Sequence, residues 1–188
     1  MGVFSQVIGM ECMKRAVFLD RDGVINRAYV RNGKSFPPAT IAEVEILPGV
    51  EFALNKLKAA GYLLIVVTNQ PDVASGKTSK LMVDQINNLL IDSLPIDDIR
   101  TCFHEDKDGC QCRKPLPGLL ITASKESEVN LEASFMIGDR WRDIEAGQSA
   151  GCKTFFINYG YQERQPDSPD FIVSSLAEAA EIIIGEFS

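Results

Sequence analysis

Five consecutive apolar residues, Leu63-Leu64-Ile65-Val66-Val67, run from the Gly61 break to the polar triplet Thr68-Asn69-Gln70. A strand with one wet face alternates apolar and polar side chains, so an unbroken run points to a strand covered on both faces. Such strands belong to parallel sheets with helices on each side. Similar runs recur along the chain, separated by segments of helical period. The pattern predicts an α/β fold with one parallel sheet.

In chain order, strands are expected at 16–20, 63–67, 99–103, 133–137, 153–157 and 170–173. Helices are expected at 48–60, 117–128, 141–150 and 175–185, with another starting after Ser79. Pro48 suits the first turn of its helix, and Ser79 suits an N-cap. Met82, Ile86, Leu89 and Leu90 are expected on the inner side of the helix that Ser79 caps. Residues 24–47 read as a long irregular connection containing Asn32-Gly33 and Pro37-Pro38. Gly76-Lys77-Thr78 imitates a nucleotide-binding loop, but Pro71 stands where that motif needs a glycine.

The first apolar run ends in Asp20-Arg21-Asp22-Gly23. In an extended segment Asp20 and Asp22 share one face and Arg21 takes the other. Paired carboxylates at the carboxyl end of a buried strand stand where open α/β sheets bind ligands, and they call for a cation or a shared proton. An Asp-Gly turn with solvated acids satisfies the same residues. Thr68 and Asn69, and then Asp139, end two further strands, and in a parallel sheet all these ends lie on one edge. Asp139 is either a helix N-cap or a third carboxylate for a hard cation such as Mg²⁺. Arg113-Lys114 is either a phosphate clamp or a solvated basic pair. Asp143 can pair with Arg140 or Arg142.

Cys102, His104, Cys110 and Cys112 place three thiols and the chain's one histidine within eleven positions. That donor set suits a closed, tetrahedral, structural Zn²⁺ site. Cys152 is expected to pack as a small apolar residue.

The chain has 188 residues and a net charge of −7, which suits a single domain and gives no general attraction to nucleic acid or to an anionic membrane. No apolar run approaches the length of a membrane span. Residues 1–15 lack the apolar core of a signal peptide and are expected to form a loose extension to a domain at 16–188. A cytoplasmic setting follows as the expectation, with cysteines as thiols or metal ligands.

Taken in order, Asp20-Arg21-Asp22-Gly23-Val24-Ile25-Asn26, Thr68-Asn69-Gln70, Arg113-Lys114-Pro115 and Gly138-Asp139-Arg140-Trp141-Arg142-Asp143 resemble the four motifs of the haloacid dehalogenase superfamily of phosphatases. The cysteine loop before Arg-Lys-Pro is similar to that of its zinc-containing heptose bisphosphate phosphatases and the related histidinol-phosphate phosphatases. The resemblance implies a Rossmann-like, doubly wound fold with a minimal cap and a Mg²⁺-dependent phosphomonoesterase. Asp20 would be the nucleophile and Asp22 the acid/base. Asp20, Asp22 (through its backbone carbonyl) and Asp139 would hold Mg²⁺, and Thr68 and Lys114 would hold the phosphoryl group. Asn26, Asn69, Gln70, Arg113 and Arg140 would serve the substrate, a small phosphorylated metabolite, in a monomeric enzyme. Heptose 1,7-bisphosphate is the first choice and histidinol phosphate the alternative. A zinc-stabilised phosphate-binding protein without turnover is the reading from a different class. Pro71-Asp72-Val73-Ala74-Ser75 departs from the family's Ser-Gly-Ile-Ala-Arg and removes an arginine, so selectivity falls to loops 26–40, 69–78 and 104–116.

Overall fold

The computed structural model describes residues 13–187. The expectation for residues 1–12 lies outside them. Lys14 and Arg15 belong to the fold rather than to an extension. The Lys14 amide donates to the Glu128 carbonyl at 3.0 Å, and the Arg15 guanidinium donates to the Phe187 carbonyl at 2.8 Å.

The parallel sheet contains β1 (Ala16–Leu19), β4 (Leu63–Asn69), β5 (Asp98–Cys102), β6 (Phe135–Gly138), β7 (Lys153–Ile157) and β8 (Phe171–Val173). Their order is β5-β4-β1-β6-β7-β8, and every pairing is parallel. The helices are α1 (Val50–Ala59), α2 (Lys80–Ser93), α3 (Gly118–Ser127), α4 (Trp141–Ala150) and α5 (Leu176–Phe187). The strand runs predict this parallel sheet with helices on both faces, and its Rossmann-like, doubly wound order is the one the family resemblance implies.

The runs owe their apolar character to burial on both faces. Val17 and Leu19 of β1, with Leu64 and Val66 of β4, pack against α1, α2 and α5. Ala16 and Phe18, with Ile65 and Val67, pack against α3 and α4. Alternate side chains thus enter different cores. Cys152 joins the second core, as expected of a small apolar residue.

Several local expectations change. Gly49 is the N-cap of α1, so Pro48 stands just before the helix rather than in its first turn. Ser79 does cap α2, its hydroxyl accepting from the Met82 amide at 3.1 Å. The inner side of α2 is Val83, Ile86, Asn87 and Leu90, while Met82 and Leu89 are only partly buried. The connection at 24–47 contains an antiparallel hairpin, β2 (Tyr29–Arg31) and β3 (Lys34–Phe36). Its turn is Asn32-Gly33, with φ of 50° and 73°. Positive φ at both central residues matches the twist of paired strands, which is why Asn-Gly is the commonest short hairpin turn. Among the described residues, no helix is long and apolar enough to cross a membrane.

Placement of the functional end follows from topology. From β1 the chain moves outward through β4 to β5, then crosses back to β6 on the other side of β1. β1 therefore lies at the switch point of the sheet, and the crevice outside its carboxyl end is where such sheets take ligands.

Candidate active site

β1 ends at Leu19, and Asp20 follows at the switch point. Lys114 comes from the loop before α3, and Asp139 and Asp143 come from the end of β6 and the first turn of α4. Lys114 is 1% exposed. Its three N–H groups go to Asp20 Oδ1 at 2.7 Å, Asp143 Oδ1 at 2.6 Å and the Val67 carbonyl at 2.7 Å. It is a buried cation with every donor used, not a solvated basic residue.

Asp143 corrects the expectation that it pairs with Arg140 or Arg142. It is 2% exposed, and its other oxygen accepts the Arg140 amide at 3.0 Å, capping α4. A Cβ on Gly138 would lie 2.1 Å from the Asp143 Cβ, so glycine there lets the helix start close against the strand. The N-cap position belongs to Arg140, whose amide Asp143 accepts, so Asp139 is not the N-cap and is left for the site. The Arg140 and Arg142 guanidiniums turn instead to Glu163 at 2.7 Å and Asp106 at 3.2 Å.

Asp139 is 1% exposed. Its Oδ2 accepts the Tyr161 hydroxyl at 2.9 Å, and its Oδ1 is buried with no partner among the described residues. Oxygens of Asp20, Asp139 and Asp143 lie within 4.8 Å of one another. An unpaired buried carboxylate oxygen is costly. A hard divalent cation supplies the missing partner, and Mg²⁺ prefers this oxygen chemistry. The donor set therefore fits such an ion.

Electrostatics argue the same way. Burial pushes the Asp20 carboxyl up to about 6, Lys114 pulls it down, and Asp143 and Asp22 push it up again. Burial, then Asp20 and Asp143, raise Asp139 well above the usual carboxylate range. Burial opposes the Lys114 charge, but Asp143 and Asp20 outweigh it and hold the ammonium charged. Fully ionised, three carboxylates against one ammonium leave net negative charge where an anionic phosphoryl group would sit. A cation resolves that repulsion.

Asp22 is held apart from this cluster. Its Oδ1 accepts from Asn26 Nδ2 at 2.9 Å and Arg21 Nε at 3.3 Å. Its Oδ2 accepts from Gln70 Nε2 at 2.7 Å and Arg21 Nη2 at 3.1 Å. Arg21 is fully buried and bonds Asn87 of α2 at 2.8 Å. This corrects the expectation that Arg21 faces away from the acids. The alternation rule lapses because the strand stops before residue 20. The Asp22 carboxylate is likewise outside the carboxylate cluster, whose third member is Asp143.

Three residues expected at substrate make bonds within the protein. Asn26 and Gln70 are buried against Asp22, and Gln70 also donates to Thr68 Oγ1 at 2.9 Å. Asn69 clasps the Lys114 backbone, donating to its carbonyl at 2.9 Å and accepting its amide at 3.1 Å. Asn69 still lines the cleft of about 50 Å³ above Asp20, with Ser35, Pro37, Lys114, Arg140 and Arg142. At ~10–15 Å³ per water, it admits a group of a few heavy atoms. The β2–β3 hairpin supplies one wall, so it stands where a cap would.

Cys102, His104, Cys110 and Cys112 form a second group. Sulfur–sulfur distances are 3.3, 3.5 and 3.8 Å, and His104 Nδ1 lies 3.3 and 3.5 Å from Cys112 and Cys102. A tetrahedral Zn²⁺ with Zn–S of ~2.3 Å separates its sulfurs by about 3.8 Å, so the four atoms already stand near the edges of such a site. Burial pushes the Cys102 thiol up to about 12, a cost that a bound cation removes. Cys112 leads directly into Arg113 and Lys114, so the cluster anchors the active-site lysine. Arg113 donates to Asp106 at 2.7 Å. Lys77 is an exposed partner of Asp72, as expected of a surface loop.

Comparison with known proteins agrees with this architecture. A family model described as HAD-hydrolase-like matches residues 111–179, the stretch carrying Lys114, Asp139 and Asp143. A D-glycero-beta-D-manno-heptose-1,7-bisphosphate 7-phosphatase of Pasteurella multocida is 34% identical over 189 residues, covering 92% of this chain and 98% of the relative. One from Helicobacter pylori is 37% identical over 147 residues, covering 74% and 80%. Among solved structures, the D,D-heptose 1.7-bisphosphate phosphatase from B. bronchiseptica, complexed with magnesium and phosphate, superposes with a TM-score of 0.79. It is 29% identical, and the match covers 92% of this chain and 99% of that one.

Proposed function

The chain belongs to the haloacid-dehalogenase-like phosphatases and is a phosphoric monoester hydrolase, and we propose that it removes the 7-phosphate of D-glycero-D-manno-heptose 1,7-bisphosphate through an aspartyl-phosphate on Asp20. The observation that carries the reading is the buried Asp20–Lys114–Asp143 set beside the unpartnered Oδ1 of Asp139.

Asp20 attacks phosphorus as the ester oxygen leaves. Asp22 gives that oxygen its proton once one of its oxygens is released from the bonds it accepts from Arg21 and Gln70, and it then takes a proton from the water that opens the acyl phosphate. Splitting hydrolysis this way replaces one difficult displacement with two easier ones. Lys114 holds Asp20 in orientation and supplies fixed positive charge at the transferring group. Thr68 Oγ1 accepts from Gln70, which leaves the hydroxyl proton for a phosphoryl oxygen. Asn26, Gln70 and Arg21 keep Asp22 in place, and Asn69 does the same for Lys114. Mg²⁺ would be held by Asp20 and Asp139 beside Asp143, and it supplies neutralisation of the phosphoryl charge. Zn²⁺ would be held by Cys102, His104, Cys110 and Cys112 as a structural ion. The relatives at 34% and 37% identity are named for the beta anomer of the bisphosphate, which supports that sugar as substrate.

The test is phosphate release from both anomers of the heptose bisphosphate and from histidinol phosphate, with Mg²⁺ and with chelator. Expected is fastest turnover of the heptose bisphosphate, abolished by chelator and by Asp20→Asn. Full activity in chelator refutes the mechanism, and faster turnover of histidinol phosphate refutes the substrate.

A further inference from the structure

Tyr161 lies in the connection between β7 and β8, a stretch outside every motif of the sequence. Its hydroxyl reaches Asp139 Oδ2 at 2.9 Å, while Oδ1 of the same carboxylate is buried and unpartnered. Gly23 presses on that carboxylate as well, since a Cβ there would lie 1.9 Å from Oδ2. Asp139 is thus gripped at one oxygen and open at the other. The gripping loop is itself tied down, because the Gln162 amide donates to the Gly33 carbonyl at the hairpin turn, 3.0 Å away. Tyr159 packs beside Tyr161, ring centroids 5.7 Å apart, and makes no hydrogen bond to Asp139 among the described residues.

We propose that Tyr161 is a positioning residue for the metal carboxylate, its hydroxyl fixing Asp139 so that Oδ1 faces a divalent cation. The inference rests on the Mg²⁺ site proposed above. A carboxylate that ligates a metal is held by its own hydrogen bonds, and removing such a partner weakens metal affinity by about 10–100-fold. Among the described residues the Tyr161 hydroxyl bonds Asp139 and not Asp20 or Lys114, and Tyr161 does not line the cleft above Asp20, so its loss acts through the ion. Saturating Mg²⁺ restores turnover in its absence.

The experiment is calorimetric titration of Mg²⁺ into zinc-replete, Mg²⁺-free protein, wild type against Tyr161→Phe, with Tyr159→Phe as control and circular dichroism to verify folding. Turnover is measured in parallel as a function of Mg²⁺. Expected for Tyr161→Phe is a Kd for Mg²⁺ about 10–100-fold weaker, with near wild-type kcat at saturating Mg²⁺ and an unchanged KM for the sugar phosphate. Tyr159→Phe should bind as wild type. A folded Tyr161→Phe protein that binds Mg²⁺ like wild type overturns the proposal, as does equal weakening in Tyr159→Phe. Wild-type protein that binds no Mg²⁺ overturns the metal site itself, and the proposal with it.

Discussion

Asp20→Asn should stabilise the Mg²⁺-free protein at neutral pH while abolishing turnover. In the folded chain the Asp20 carboxyl stands at about 6, against an ordinary value of 3.8. A carboxyl whose folded pKa is raised takes up a proton on folding between those two values. Its stabilising contribution is full below pH 3.8 and is lost as pH rises through about 6. At about 1.4 kcal/mol per tenfold, the ionised carboxylate costs about 3 kcal/mol at pH 7. Asparagine removes that charge, and its amide oxygen can still accept from Lys114, which keeps Asp143 as its ion pair. At 2–4 °C per kcal/mol for a chain this size, the variant should melt about 6–12 °C above wild type at pH 7. The gain should shrink towards zero as pH falls from about 6 to 4. The assay is thermal unfolding of both proteins without Mg²⁺ across pH 4–8. Saturating Mg²⁺ should narrow the gap at pH 7, because at 100 times its Kd an ion adds about 2.7 kcal/mol to the protein that binds it. A variant less stable than wild type at pH 7, or a gain independent of pH, refutes this account of the buried charge.

Two further perturbations test the supports of the site. Gly23→Ala places a side chain at φ +96° and 1.9 Å from Asp139 Oδ2; it should cost about 1–3 kcal/mol from backbone strain alone and weaken Mg²⁺ binding, as read by urea unfolding and calorimetry. Elemental analysis should find about one zinc per chain; Cys112→Ser should reduce zinc content and lower kcat on the order of 10²-fold, because Lys114 sits two residues away and a shift of ~1 Å at such a group has that effect.

The apolar runs predict the sheet well because burial on both faces leaves no polar position to obscure the strand. α4 and β7 fall at the residues expected, bounded by the Gly151 turn, whose φ of 85° suits glycine. The hairpin at 29–36 was legible in Asn32-Gly33 between Tyr-Val-Arg and Lys-Ser-Phe, but six residues carry too little alternation to stand out within a long loop. The four-ligand cysteine cluster could be read because its donors are nearly adjacent in sequence. The bonds of Asn26, Asn69 and Gln70 could not. An amide side chain has the same composition whether it meets substrate or a neighbouring residue, and only the folded distances separate the two.

Strand–helix alternation, the gathering of polar strand ends on one sheet edge and the soft-ligand loop could all be read along the linear chain. These follow from local period and from donor chemistry, which a linear chain carries. Tertiary structure alone decided that Lys114 is buried between Asp20 and Asp143, that Arg21 and Gln70 hold Asp22, and that Tyr161 reaches Asp139. Apart from the adjacent Arg21–Asp22 pair, each of those contacts joins segments distant in sequence, whose meeting depends on how β4, β6 and the loops that follow the strands pack around the end of β1. A charged residue reveals its partner only when burial removes the water that would otherwise satisfy it.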